Sequence, residues 1–503
     1  MDKFKKKKLE EQEHKRRKAN VDKLLKDYCY EHKYPTTRRE FISSGLITFG
    51  AAATIPSLLL GPNAAMAQAD ECAPADGGAG GMPAFITVAL GGGAMFAGNM
   101  QYGDAGGQPL QSYRSVGQGA NPGTTVQMGA PFWNQGLIIQ GIMETASAAA
   151  LANSRLVGVP LRSIDDTSRN EMDASGMVLA AGLSGQFLPN LGSDNSMAGA
   201  RHNPANINPT TALRVNRQSD LENAVSLNGA LGQLSSNQAG KLLKLVQELS
   251  ENQGLANAQR NPASANLAKL VKCATAQNTD LIANGLNVDF RADAEVQRIW
   301  QIAANTDPRR NNNPDDQGNR AMAANMVKAA LQGLASSVGL TFGGYDYHLG
   351  ANRTTANQRD LNAGRMIGRI IEQAHSDSKK AFLYINSDGA TSTREEDDSD
   401  SADWRGDIGS KGSVWMIAYD PAGRPESLAP AGTPAFQIGQ FTETQNADTN
   451  YMTGNNPALA AAAVFANYMS FSGRTGMIES VIPGVFNSAQ IDEILRIGDK
   501  PSA

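Results

Sequence analysis

The stretch LTFGGYDYHLG, residues 340–350, places Asp346 and His348 two positions apart, just after two glycines. In an extended chain, side chains with this spacing point to the same face. A carboxylate and an imidazole on one face can share a metal ion, or the carboxylate can orient the histidine. The same pattern also suits a hydrogen-bonded turn with a structural histidine, and the residues alone leave both interpretations open.

Two other histidines lie beyond residue 67. His375 ends an amphipathic helical pattern, where an imidazolium interacts favourably with the helix dipole. His202 falls in a loop rich in asparagine and proline, where ligand contact and a plain surface position are both open. A structural role is the simpler interpretation of His375.

Carboxylates gather in and around the loop REEDDSDSADWRGDIGSKG, residues 394–412. Asp388 follows an apolar run that predicts a strand, and Asp403 and Asp407 lie in the loop itself. Clustered carboxylates suit Ca²⁺ or Mg²⁺, which prefer oxygen ligands. The spacing is not that of an EF-hand, and the acidic run equally fits a solvated loop.

Several common catalytic patterns are missing from the sequence. No serine stands in a G-x-S-x-G elbow, and neither a P-loop nor a Rossmann glycine fingerprint is present. The sequence therefore offers no diagnostic nucleophile and no nucleotide-binding motif.

Charge is distributed unevenly along the 503 residues. Residues 1–39 carry 14 Lys/Arg against 7 Asp/Glu, whereas the chain from Gln68 onward carries 31 Lys/Arg against 41 Asp/Glu. Binding to nucleic acid needs clustered cations that neutralise phosphates. An acidic body argues against a nucleic-acid partner.

The N-terminal region resembles a twin-arginine (Tat) signal peptide. Arg38 and Arg39 precede a weakly apolar run that ends near Leu60, and Ala65 and Ala67 are small residues at the expected peptidase site. The resemblance implies the Tat translocase as an export partner and a periplasmic location. The run is short for a bilayer, so no stable membrane span is expected in the mature form. An uncleaved anchor helix is the alternative.

The organisation that follows is a signal peptide over 1–67 with a long basic start, a flexible leader over 68–82, and one large domain over 83–503. Cys72 and Cys273 remain after cleavage, and in an oxidising periplasm they are candidates for a disulfide. Two separate thiols are the other possibility.

Short apolar runs that end at glycine or polar loops predict strands. Those runs are PAFITVAL, GLIIQGIM, SRLVGVPL, KAFLYINSDGATS and SVWMIAYDP. Apolar residues at three- and four-residue spacing predict helices over EMDASGMVLAAGLSGQFL, through a mainly helical insertion at about 210–340, over LNAGRMIGRIIEQAHSDS and near the C-terminus. NTDPRRNNNPDDQGN is a polar loop. The alternation predicts an α/β fold with sites at the carboxyl ends of the strands.

Several short motifs, in order, resemble a Tat-exported bacterial family allied to the alkaline phosphatase and sulfatase superfamily. The matching stretches are Gly92-Gly93, Gly98-Asn99, QYGD at 101–104, Tyr113-Arg114, Gly343-Gly344-Tyr345-Asp346-Tyr347-His348 and Ser387-Asp388-Gly389. The resemblance covers most of residues 83–500. It implies an alkaline-phosphatase-like central sheet flanked by helices, and a metal-dependent phosphate or sulfate ester hydrolase as the ancestral activity.

The departures from that family are as informative as the matches. The first-loop aspartate, an expected metal ligand, is replaced by Met95 or Phe96, and a family histidine aligns with Glu171. An Asp-His pair becomes Asp407-Ile408. Hydrolysis on two metals needs two positive centres that hold the nucleophile and the leaving oxygen, and the usual imidazole set is missing here.

Two hypotheses follow from this eroded site. The first is a binding or structural protein without hydrolysis. The second is an active hydrolase with an oxygen-rich site that holds a divalent cation, Ca²⁺, Mg²⁺ or Zn²⁺. Its candidate ligands are Glu171, Asp346, His348, Asp388 and Asp407.

Overall fold

The computed structural model describes residues 82–162, 174–181, 190–192, 213–225, 288–335, 337–345, 353–392, 405–407 and 409–498. Its strands are β1 (Ala84–Leu90), β2 (Thr124–Gln127), β3 (Ala130–Trp133), β4 (Ser154–Pro160), β5 (Asn190–Gly192), β6 (Leu213–Arg214), β7 (Ser337–Phe342), β8 (Ala381–Asn386), β9 (Thr391–Ser392), β10 (Arg405–Asp407), β11 (Ser413–Tyr419), β12 (Glu426–Ser427) and β13 (Ile497–Gly498).

The helices are α1 (Leu137–Thr145), α2 (Ala148–Ala152), α3 (Ser175–Ala180), α4 (Gln218–Val225), α5 (Ala294–Trp300), α6 (Gln317–Leu331), α7 (Arg353–Ser376), α8 (Pro457–Phe471), α9 (Ile478–Val481) and α10 (Ser488–Ile494). No helix in the part of the chain that the structure describes is long and apolar enough to cross a membrane.

A seven-stranded sheet with the order β4-β11-β8-β1-β7-β5-β6 forms the centre of the fold. β1 pairs in parallel with both β7 and β8, and β5 and β6 continue the parallel set. β11 runs antiparallel between β4 and β8. The expectation of an α/β fold with a central sheet flanked by helices is therefore confirmed.

The central strands are buried on both faces, which explains their nearly continuous apolar sequences. In β1, Ile86, Val88 and Leu90 face one helical layer. Phe85 on the same strand faces the other layer, where its ring packs edge-on against Tyr468 of α8. Two cores on opposite faces make a three-layer α/β/α arrangement.

Helices α1 and α7 cross on the first face with their backbones in direct contact. A Cβ atom built on Gly141 would collide with the Leu361 carbonyl, and one built on Gly364 would collide with the Ile138 carbonyl. Thr145 Oγ1 also donates to the Arg365 carbonyl at 3.0 Å. Only glycine allows this approach, so the crossing depends on these small residues.

The stretch GLIIQGIM was predicted as a strand, and that prediction is wrong: it begins α1. Its eight residues are too few for periodicity to separate a strand from a buried helix. Ile138, Ile139 and Ile142 recur at helical spacing and are buried in the core of the first face. Tertiary packing against α7 decides the outcome.

On the second face α8 is buried along nearly its whole length. Asn456 caps its first turn by accepting hydrogen bonds from the backbone of Ala458 and Leu459, and Pro457 begins the helix. Asn467 within the helix donates to the Ile494 carbonyl at 3.0 Å and so holds α10 in place.

Candidate functional site

The loops after the parallel strands meet at one edge of the main sheet, called here the carboxyl edge. β1 leads into Gly91–Gly93, β7 into Gly343–Tyr345 and β8 into Ser387–Ala390. Because β11 runs the other way, the turn Gly409–Lys411 that precedes it belongs to the same edge. Ligand sites of open α/β sheets form at this edge.

The loops after β1 and β8 are bonded to each other in a contact that we call the β1–β8 junction. Ser387 is 2% exposed. Its Oγ donates to the Leu90 carbonyl at 2.6 Å and accepts from the backbone N–H of Gly93 at 3.2 Å and of Ala94 at 2.8 Å. One hydroxyl thus uses all of its hydrogen-bonding capacity on the backbone of the facing loop.

Asp388 adds a charged bond to the same junction. Its Oδ1 accepts from the Gly92 backbone N–H at 2.6 Å, the short distance typical of a charge-assisted hydrogen bond. Gly92 and Gly93 have φ values of 117° and 110°, which side chains rarely adopt. Asp388 and the two glycines therefore fix the loop in one conformation.

The loop after β7 is joined to the junction from the other side. Gly91 donates its N–H to the Phe342 carbonyl at 2.8 Å, and Tyr345 donates its N–H to the Gly91 carbonyl at 3.0 Å. The Tyr345 ring is buried, and this burial raises the pKa of its phenol well above the usual value. Tyr345, the third residue of the GGYDYH motif, is therefore a neutral anchor for this loop.

Met95 and Phe96 occupy the position where the family resemblance expects the first metal ligand. Both are buried, at 0% and 1% exposure. The Phe96 ring lies 5.0 Å from the Trp415 ring, and the Trp415 Nε1–H donates to the Tyr102 hydroxyl at 3.0 Å. This stretch of the loop serves the hydrophobic core.

Lys411 is a buried cation at the carboxyl edge that the sequence analysis missed. Its side chain is 5% exposed. The ammonium donates to Ser115 Oγ at 2.9 Å, to the carbonyls of Thr444 and Gln445 at 3.3 and 3.2 Å, and to Asn446 Oδ1 at 3.2 Å. Local sequence patterns do not reveal this lysine site, because the acceptors around the ammonium lie far from Lys411 in the chain.

Other residues in the resembling motifs also have structural contacts. Asp104 closes a turn by accepting from the backbone of Gly106 and Gln108. The Tyr113 hydroxyl donates to the Tyr102 carbonyl at 2.8 Å and accepts from the Leu110 N–H at 3.1 Å. These bonds hold the polypeptide between β1 and β2.

His375 lies in the last turn of α7, as predicted. Its Nδ1 shares a hydrogen bond of 2.9 Å with the Tyr419 hydroxyl, and the two rings meet edge to face. The predicted position of this histidine at the end of a helix is confirmed, and its contact with Tyr419 is one within the fold.

The structure reaches only part of the predicted metal set. Asp388 is described in full, and it lies after a strand as expected. Only the backbone of Asp407 is described, in β10. Glu171, Asp346 and His348 lie outside the described residues, as do His202 and Asp403. Within the described ranges no three His, Cys, Asp or Glu residues group as a metal site.

The predicted signal and disulfide residues also lie outside the described residues. They are Arg38, Arg39, Ala65, Ala67, Cys72 and Cys273. Export and the disulfide therefore stay predictions.

Two buried polar side chains near the junction lack partners in the described part of the chain. Both residues are buried, with Thr87 5% and Asn386 1% exposed. Even so, neither Thr87 Oγ1 nor the side-chain amide of Asn386 has a hydrogen-bond partner among the described residues. Thr87 is paired with Tyr384 in the register of β1 and β8, and Asn386 with Ala89. The two lie on the second face of the sheet, because both alternate with residues of the first core.

A second feature of this part of the fold is an open pocket of about 770 Å³ beyond β7. Four arginines line it: Arg214, Arg217, Arg309 and Arg310. Arg309 and Arg310 come from NTDPRRNNNPDDQGN, which was predicted as a polar loop, and the structure shows turns and bends there. The adjacent Arg309 and Arg310 are visible in the sequence as a local cluster of positive charge. The other two arginines of the pocket, Arg214 and Arg217, lie some ninety residues earlier in the chain.

No family model, curated protein or solved structure matches this chain.

Proposed function

We propose that the protein is exported by the Tat pathway and acts outside the cytoplasm as a binding or structural protein. In this proposal it has a scaffold of the alkaline phosphatase and sulfatase type with an eroded metal site. The observation that carries the proposal is the β1–β8 junction. Its polar groups, the Ser387 hydroxyl and the Asp388 carboxylate, bond to the backbone of the loop after β1.

The electrostatics of the carboxyl edge support the same proposal. A site for two divalent cations needs several carboxylates with few competing positive charges. Met95 and Phe96 supply no oxygen ligands, and Lys411 places a buried ammonium in the turn before β11. Coulombic repulsion between an ammonium and a metal ion is strong in a poorly solvated site.

A competing proposal is an active metal-dependent phosphate or sulfate ester hydrolase. Asp388 favours it, since this partly exposed carboxylate lies at the edge where α/β sheets place their sites. An oxygen-rich site would add Glu171, Asp346, His348 and Asp407 to it. The two proposals differ in metal content and in turnover.

Both quantities can be measured on protein purified from the periplasm after export. We expect substoichiometric metal by elemental analysis, and no hydrolysis of a panel of phosphate and sulfate esters above the uncatalysed rate. Metal content and ester hydrolysis are also measured for Asp388→Asn, which keeps the shape of the side chain and removes its charge. Near-stoichiometric metal that is lost in an Asp346→Ala/His348→Ala variant, together with ester hydrolysis, would overturn the proposal.

Export is tested separately by cell fractionation. An Arg38→Lys/Arg39→Lys variant is expected to accumulate as precursor in the cytoplasm, because paired arginines identify the Tat signal. Unchanged periplasmic delivery of that variant would contradict the proposed route.

A further inference from the structure

The arginine pocket is a concentration of positive charge on an acidic body. Arg214, Arg217, Arg309 and Arg310 contribute four guanidinium groups, and Asp307 contributes one carboxylate. The chain from Gln68 onward carries 41 Asp/Glu against 31 Lys/Arg. A cationic concavity in such a body attracts anions, because like-signed groups around a cleft focus the field.

Two arginines elsewhere in the described structure show what pairing with a carboxylate looks like in this fold. Arg291 bonds Asp289 at 2.6 Å, and Arg369 bonds Asp315 at 2.7 Å. In contrast, Arg217 and Arg309 are exposed and form no ion pair with any residue in the described ranges. Their charges are left for solvent or a ligand.

The backbone that carries these arginines is held in place. The segment after β6 and the segment before α6 form an antiparallel bridge between Arg217 and Arg309. Arg310 donates its N–H to the Asn216 carbonyl at 3.1 Å. Asp220 accepts from the backbone N–H of Asn216 and of Arg217, at 3.0 and 3.2 Å. These hydrogen bonds therefore hold the backbone that carries the guanidinium groups in one conformation.

The asparagine-rich run on the other side of the pocket is fixed from α6. The Asn319 amide donates to the carbonyls of Asn311 and Asn313, both at 2.6 Å. The Arg309 side chain packs against Gly318, since a Cβ atom built on Gly318 would be 2.6 Å from Arg309 Cγ. Fixed backbones reduce the conformational entropy that a ligand must remove on binding.

The pocket borders the carboxyl edge of the sheet. Asn312, one of its lining residues, has its Oδ1 3.4 Å from a Cβ built on Gly343, which directly follows β7. β6 ends at Arg214, and the next residue, Val215, donates its N–H to the carbonyl of Gly192, the last residue of β5, at 2.8 Å. The pocket is thus formed from the ends of parallel strands, separate from the β1–β8 junction.

We propose that this pocket binds a small ligand that carries two or more phosphate, sulfate or carboxylate groups. Guanidinium groups bind these planar or tetrahedral anions with paired, charge-assisted hydrogen bonds. A volume of about 770 Å³ fits a small molecule, and the three exposed arginines, Arg214, Arg217 and Arg309, can engage more than one anionic group. The inference goes beyond the proposed function, since it holds whether or not the β1–β8 junction retains a metal.

The test is isothermal titration calorimetry at low ionic strength on chelator-treated exported protein. Inorganic tripolyphosphate, citrate and acetate are the probes. We expect saturable binding of tripolyphosphate, citrate or both, with acetate much weaker, and the preferred probe identifies the head group. Increasing salt should weaken binding, because ions screen exposed charges.

The key variant is Arg217→Gln/Arg309→Gln, which removes two charges and keeps the Cγ atom that lies against Gly318. We expect it to weaken binding by about tenfold or more. Arg298→Gln, an exposed arginine on α5 outside the pocket, is the matched control and should leave affinity unchanged. Asp307→Asn should tighten binding, since it removes the carboxylate that lines the pocket.

Saturable binding that depends on Arg217 and Arg309 supports the proposal. Failure of both multivalent probes to bind overturns it. An equal affinity in the wild type and the double variant, with thermal unfolding confirming that both are folded, also overturns it. Metal content and ester hydrolysis decide the proposed function independently of these results.

Discussion

At the β1–β8 junction the polar side chains bond to the protein's own backbone, whereas in the arginine pocket Arg217 and Arg309 are exposed to solvent. Ser387 makes three buried hydrogen bonds to the loop after β1. Arg217 and Arg309 are exposed and form no ion pair within the described residues. The loops of one sheet edge thus divide between stabilising the fold and presenting charge, and substitutions in the two regions should have opposite signatures.

The largest expected effect is that of Ser387→Ala. Removing the hydroxyl leaves the Leu90 carbonyl and the N–H groups of Gly93 and Ala94 without this partner. Buried groups that lose a partner each cost about 1–3 kcal/mol, so we expect a loss of about 2–4 kcal/mol in the free energy of unfolding. Urea denaturation measures it.

The matched comparison is the pocket variant Arg217→Gln/Arg309→Gln. Its unfolding free energy should stay within about 0.5 kcal/mol of the wild type, as for exposed residues without ion pairs. Equal losses in the two variants would abolish the distinction between the regions.

Gly93→Ala is expected to have the next largest effect. Gly93 has a φ of +110°, and an added Cβ would be 3.3 Å from the Ala390 backbone nitrogen across the junction. Strain of this type costs about 1–3 kcal/mol. Gly432→Ala is the control, because Gly432 has a φ of +82° with no atom within 4 Å of the added Cβ.

The difference in midpoint between these two glycine variants measures the closeness of the junction. A larger loss is expected at Gly93 than at Gly432, by thermal or chemical unfolding. If Gly432→Ala is the more destabilising change, backbone conformation alone explains both and the loops are not tightly packed.

The sequence predicted β1, β4, β8 and β11 of the main sheet, but it missed β7, which overlaps the end of the predicted helical insertion, and it did not indicate the contacts between the loops. Apolar runs predicted β1, β8 and β11, because strands buried on both faces need continuous hydrophobic residues. The bond from Gly92 to Asp388 joins residues 296 positions apart, and the bridge from Arg217 to Arg309 is similarly non-local. Such partners depend on the topology of the sheet, which local patterns do not encode.

The ion pair between Arg291 and Asp289 can be tested through the pH dependence of the free energy of unfolding. Hydrogen bonds from Arg291 lower the pKa of Asp289, against the opposing effect of burial. The folded pKa lies below the unfolded value of about 4, so the stabilisation is present above that pH and lost as pH falls through the folded value. Arg291 also donates to the Thr306 carbonyl at 2.6 Å, next to the pocket residue Asp307.

Asp289→Asn should therefore cost up to about 1 kcal/mol at pH 7, with the difference from wild type shrinking toward pH 2. The magnitude is small because the Asp289 side chain is 32% exposed and screened by solvent. Unfolding at a series of pH values measures it. A difference that stays constant down to pH 2 would contradict the assignment of the charge to this pair.

Thr87→Val is expected to have a small effect on the free energy of unfolding, and the sign of that effect tests the comparison most directly. Both Thr87 and Ser387 carry hydroxyls that are almost fully buried, but Thr87 Oγ1 has no hydrogen-bond partner among the residues that the structure describes. Replacing an unpartnered hydroxyl by a methyl group of similar size is neutral or stabilising by about 0–1 kcal/mol. The same loss of a hydroxyl should thus destabilise at Ser387 and not at Thr87.

A loss above about 1 kcal/mol in Thr87→Val would mean that the hydroxyl bonds a buried water or ligand on the second face of the sheet. The division between fold-stabilising and ligand-facing groups would then run through β1 itself.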